Sequence, residues 1–154
     1  MAILLASPAA AREAPPTKPQ LTMTVTEKKP VATTRTSEYY IRPHGIIVQK
    51  ITNRDQQSLE DARANTRAFN SLADGKKRLL LVDMQVAYST GPGVREYYAS
   101  AEASEYVAAL AMITPSATSR IIGNFFLTIN RPPYPCRMFK TTEEATRWLL
   151  GFGG

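Results

Sequence analysis

Residues 78–96 read RLLLVDMQVAYSTGPGVRE, and the order of residue types along them predicts a buried strand that runs into a helix. Leu79, Leu80, Leu81 and Val82 lie between Arg78 and Asp83. Four consecutive apolar residues with polar ends suit a central strand covered on both faces. Gly91, Pro92 and Gly93 then interrupt the chain, and a helical pattern opens at Val94. Ser89 and Thr90 are of the type that caps such a helix. A strand that leads into a hydroxyl-bearing helix start is a ready contact or regulatory site.

Upstream, Ser58-Leu59-Glu60-Asp61 resembles a capping box with Ser58 as N-cap. Leu59, Ala62, Thr66, Phe69 and Leu72 or Ala73 follow at helical spacing, which predicts one apolar stripe toward a core. Asp74-Gly75 ends that helix, with Gly75 able to take a left-handed cap. Before it, residues 39–42 and 46–51 read as two strands. Arg42-Pro43-His44-Gly45 joins them with Pro second and Gly fourth, which predicts a type I turn and a hairpin.

Downstream, residues 99–112 are Ala-rich and would extend a helix, whereas residues 106–113 also read as a strand. The strand is preferred, because a β-α-β unit needs a second parallel member. Thr114-Pro115-Ser116 starts another helix, and Ala117, Ile121, Ile122, Phe125, Phe126 and Ile129 give it a wide apolar face. Asn130 and Arg131-Pro132-Pro133 stop it. Residues 136–139 make a last short core strand headed by Cys136, which reads as a small buried hydrophobe. Thr141 and Glu144 then cap a helix with Ala145, Trp148, Leu149 and Phe152 on one face. The expected order is β-β-α-β-α-β-α-β-α. It describes an α/β domain with an N-terminal hairpin, a mostly parallel mixed sheet of about five strands, and four helices.

The 154 residues and 44% hydrophobic content suit one domain with one core. The formal charge is +6, but residues 1–36 carry five basic and two acidic side chains, leaving fourteen and eleven for the rest. Residues 37–154, the expected domain, are therefore only mildly basic, with no basic stripe of interleaved aromatics to mark a nucleic-acid binder. Residues 1–36 also hold five of the eleven prolines and read as a disordered tail. Met23 reads as an alternative start, which would make residues 1–22 an artefact. One cysteine excludes an internal disulfide and fits a reducing cytoplasm. No stretch approaches the roughly 20 apolar residues of a membrane span.

Catalytic constellations are absent from the pattern. His44 and Cys136 are the chain's only histidine and cysteine and fall in separate elements, so neither a metal set nor a Cys-His pair is expected. Asp83 ends a strand without an acidic neighbour, where a loop hydrogen bond is its expected duty. Ser89-Thr90-Gly91-Pro92-Gly93 lacks the spacing and the Lys of a phosphate-binding loop. No cofactor and no enzymatic activity are expected.

Three stretches together resemble the STAS domain, the fold of anti-sigma-factor antagonists and sulfate-transporter tails. They are LLLVDM with STGPGVREYY, the late IIGNFF helix, and the closing CRMFKTTEEATRWLL. The likeness covers residues 38–152 and is nearest to small bacterial STAS-like proteins that also resemble the lipid-binding CRAL-TRIO domain. In antagonists a kinase phosphorylates the serine of an Asp-Ser pair at the helix start after this strand. Here Ser89-Thr90 takes that place, with Tyr88 where the Asp would stand. The resemblance implies a regulatory interaction module with a protein partner, such as a kinase or an anti-sigma factor, switched at Ser89 or Thr90. The residue types by themselves make the pair a helix cap. The expected contact surface joins Ser89, Thr90, Gly91, Arg95 and Tyr98 to Ser116, Ser119 and Arg120 at the carboxyl ends of the strands. The alternative is a carrier of an apolar, lipid-like ligand on the helix at 117–129, whose apolar surface equally suits a homodimer.

Overall fold

Leu79 and Leu81 pack into one hydrophobic cluster and Leu80 into another, one on each side of the same strand. That alternation is what an unbroken apolar run achieves in a sheet covered on both faces. The structure is a computed structural model that describes residues 29–86, 89–129 and 131–153, without the side chains of Phe125 and Phe126.

Six strands form one sheet in sequence order: β1 (Ala32–Thr33), β2 (Ser37–Ile41), β3 (Ile47–Ile51), β4 (Arg78–Asp83), β5 (Val107–Ile113) and β6 (Cys136–Phe139). The first three pair antiparallel, and β3 through β6 pair parallel. Among the described residues five α-helices join and cover them: α1 (Leu59–Ala73), α2 (Val94–Tyr98), α3 (Ala101–Ser104), α4 (Ala117–Ile129) and α5 (Thr142–Leu150). On one face α1 packs Phe69 and Ala73 against Tyr39, Ile47, Leu80 and Val107. On the other, α5 packs Ala145 and Leu149 against Leu79, Leu81, Ala109 and Ala111. Ala109 and Ala111 of β5 are fully buried, and their small side chains let α5 approach the sheet closely.

The strand preferred at 106–113 is present as β5, between β4 and β6. Its side chains alternate between buried and half-buried along the whole strand. The capping box at Ser58 is complete: Ser58 Oγ accepts from the Asp61 N–H and the Asp61 carboxylate accepts from the Ser58 N–H. The left-handed end of α1 takes two residues, Asp74 (φ 55°) and Gly75 (φ 76°).

Five expectations need correction. The tail does not extend to residue 36. Ala32 and Thr33 form β1, while Thr36 and Ser37 are buried under hydrogen bonds to α1 and β3. The rest of the expected tail, up to residue 28, lies outside the described residues. The hairpin at 42–45 closes by a Gly45 N–H to Arg42 carbonyl bond of 3.1 Å. His44, however, sits at φ 68°, so the turn is not type I, whose third residue has negative φ. The single helix expected after Gly93 is two short ones, because Ser100 caps a fresh start by accepting from the Ala103 N–H. Cys136 heads an edge strand and is only half-buried, so it is not a core residue.

The fifth correction concerns α4. Of its residues whose side chains are described, Arg120, Gly123, Asn124 and Leu127 are half-buried, while the side chains of Phe125 and Phe126 of the expected apolar face lie outside the description. Ile121, Ile122 and Ile129 of the expected apolar face are 72%, 61% and 60% exposed. Packing chose the small residue: a Cβ on Gly123 would collide with Met138 Sδ on β6. Asn124 holds the same contact by accepting from the Met138 N–H (2.9 Å) and donating to its carbonyl (3.4 Å).

Candidate functional site

The carboxyl ends of β3 to β6 lie side by side, and the chain beyond β4 and β5 carries the contact residues expected above. Ser89, Thr90 and Gly91 do not cap a helix. The residue before α2 is Gly93 in a left-handed conformation (φ 81°), with no side-chain cap. Instead residues 89–91 lie extended against Gln57 as a short parallel bridge. The Gln57 N–H donates to the Ser89 carbonyl (2.9 Å), and the Gly91 N–H to the Gln57 carbonyl (2.8 Å). Ser89 is exposed and Thr90 half-buried. Tyr88 lies outside the described residues.

Gln57 is almost fully buried and leads inward. Its Oε1 accepts from the Tyr98 hydroxyl (2.8 Å), which in turn accepts from Asn65 Nδ2 (3.2 Å). Asn65, buried on α1, also bonds Thr34 (2.6 Å) and Thr36 (3.1 Å). Beside it Arg35 makes a two-pronged contact to Asp61, at 2.9 and 2.6 Å. Hydrogen bonds from Arg35, aided by Ser58 and opposed by burial, hold the Asp61 carboxyl well below its usual range. A continuous polar path thus runs from the surface at 89–91, through Gln57, Tyr98 and Asn65, to residues 34–36.

Of the other expected site residues, Arg95 is exposed on α2. Tyr98 is half-buried and donates to Gln57 in the polar path, while Tyr97 is buried and donates to Glu102 (3.1 Å). Ser116 does cap α4, accepting from the Ser119 N–H at 3.1 Å, and Ser119 is exposed beside it. Arg120 reaches back to the Thr114 carbonyl (2.8 Å). The expected surface is therefore two groups: one about Gln57 beyond β3, the other at the start of α4 beyond β5. Gln57, Asn65 and Thr36 are not among the residues expected from the sequence, and Asp61 is expected only as part of a helix cap. Asp61 and Asn65 are four apart, one position before Ala62 and Thr66 of the apolar stripe, and that spacing was the available sign.

His44 and Cys136 sit near the opposite, amino-terminal ends of β3 and β6, on strands three spacings apart, roughly 14 Å. Burial pushes the Cys136 thiol up to about 12, where it stays protonated and a poor nucleophile. Asp83 accepts from the Gln85 N–H (3.1 Å), the loop bond expected of it. Among the described residues no group of three His, Cys, Asp or Glu is placed to hold a metal ion. None of the described helices is long and apolar enough to cross a membrane.

A hairpin-led mixed sheet with parallel β3 to β6 and helices on both faces defines a STAS-like α/β domain. The chain belongs to the family described as a domain of unknown function, DUF7793, whose model matches residues 39–153. Among solved structures it is similar to an uncharacterized protein of the DUF3478 family with a SpoIIAA-like fold, from Shewanella loihica PV-4. The TM-score is 0.58 at 12% identity, over 77% of this chain and 98% of that one. At that identity the likeness shows the fold alone. A protein of unknown function from Arthrobacter sp. FB24 also matches, at 23% identity over 77% of this chain and 95% of that one, with a TM-score of 0.26. No curated protein matches.

Proposed function

We propose that this domain is a non-enzymatic regulatory interaction module of the kind that anti-sigma-factor antagonists represent, contacting a protein partner through residues 89–91. The observation that carries the reading is the bridge of residues 89–91 on Gln57, which joins an exposed serine to the polar path ending at residues 34–36. A partner, or a phosphate on Ser89, acting at the surface is thereby in hydrogen-bonded contact with the packing of the N-terminal strands. Loss of one bond in such a buried path leaves a polar group unpaired, which costs about 1–3 kcal/mol, so the path resists piecemeal change.

The test is a pair of substitutions. Ser89→Asp adds a negative charge to the exposed position and is expected to change partner binding. Ser89→Ala is expected to keep stability within about 0.5 kcal/mol, since the side chain is exposed and caps nothing. Partners are recovered with the parent protein and their affinities compared by calorimetry. If both variants bind each partner as the parent does, residues 89–91 are not the contact.

A further inference from the structure

Between α4 and α5, over the end of β6, lies an open groove of about 730 Å³. Four cations line it: Arg120 from α4, Arg137 and Lys140 from β6 and its end, and Arg147 from α5. Glu144 is the one carboxylate in the lining. Among the described residues none of the four cations is within salt-bridge distance of a carboxylate. Arg120 gives one N–H to the Thr114 carbonyl, which anchors its side chain. The apolar part of the lining comes from Phe139 and Trp148, whose rings meet at 5.5 Å, with Met138 and Ile121 beside them. Four cations that form no ion pair among the described residues converge on an apolar floor, an arrangement that folding alone does not require, because like charges in one cleft repel.

We propose that this groove docks an acidic segment of a partner protein, with its carboxylates on the four cations and an apolar side chain against Met138 and Ile121 beside the Phe139 and Trp148 rings. An extended chain reaches both rim and floor of a concave site, whereas a flat bilayer surface meets the rim alone. Nucleic-acid bases need an open aromatic face to stack on. Here Arg137 lies over the Phe139 ring at 5.5 Å, and Phe152 meets Trp148 edge-on at 4.8 Å. Residues 1–28 of the chain itself are unsuited as occupant, since Arg12, Lys18 and Lys28 outnumber Glu13 and Glu27. The groove lies apart from residues 89–91, so its failure would leave the reading of that segment standing.

Trp148 is the only tryptophan of the chain, so its fluorescence reports on the groove directly. The full chain is titrated with a decapeptide of glutamates around a central leucine and with the same peptide carrying glutamines. Phosphatidylglycerol vesicles and single-stranded oligouridylate form the other two arms. The glutamate peptide is expected to shift the emission and to bind about tenfold or more weakly when Arg137→Glu and Arg147→Glu are combined. Should that double variant lose its circular dichroism, Arg137→Gln with Arg147→Gln is expected to weaken binding in the same direction. No response to the glutamate peptide, an equal response to the glutamine peptide, or tighter binding of vesicles or oligouridylate overturns the proposal.

Discussion

Asp61 shows how much one side chain can carry. It completes the cap of α1, accepts two bonds from Arg35 and so ties residue 35 to the helix. Its carboxyl is depressed in the fold, so the stabilisation is full above the unfolded value of about 3.9 and is lost as pH falls below it. Asp61→Asn is therefore expected to be less stable than the parent at pH 7 and to approach it below about pH 4, which urea unfolding at a series of pH values would show. Parallel pH profiles would mean that the carboxylate contributes no pH-dependent stability. Sequence pattern revealed the cap, because Ser and Asp three apart is a local sign. It did not reveal Arg35 as the partner, because that contact spans 26 residues. Ser89 and Thr90 were misread for the opposite reason: a local sign of a cap was present, and Gly93 in a left-handed conformation took the position instead.

At the scale of elements, the strands were legible and the helix faces less so. The run at 79–82 announces a strand covered on both faces, and the alternating burial of β5 follows from its place beside it. α4 was read from its apolar residues, yet it meets the sheet through Gly123 and Asn124, because contact with an edge strand rewards closeness and hydrogen bonding over bulk. Gly123→Ala would gain about 1 kcal/mol of helix propensity but must displace the Met138 thioether. We expect a net loss of stability that Met138→Ala relieves, so the double variant should be more stable than the sum of the single changes. Additive midpoints in urea would mean that Met138 moves aside freely. The cations of the groove were illegible for a related reason. Arg120, Arg137, Lys140 and Arg147 come from three elements, and tertiary structure alone brings them into one cleft.

For the whole molecule, the sheet supplies two surfaces at the carboxyl ends of its strands. One, at residues 89–91, is wired to the N-terminal strands through buried hydrogen bonds, and the other is a basic groove against β6. The STAS-like class was readable because it rests on the order and patterning of elements. The polar path was not, because it joins residues 34–36, 57, 65 and 98 through hydrogen bonds between side chains 29 to 41 positions apart. If this path couples the surface segment to the N-terminal strands, cutting it in the middle must loosen both ends. Tyr98→Phe removes only the hydroxyl that links Gln57 to Asn65. Amide hydrogen exchange on that variant is expected to show faster exchange at Gln57 and Gly91 and also at Thr34 and Thr52, whose N–H groups bond within the 34–37 turn, while β4 and β5 keep their protection. Faster exchange confined to α2, with Gly91 and Thr34 as protected as in the parent, would contradict the coupling.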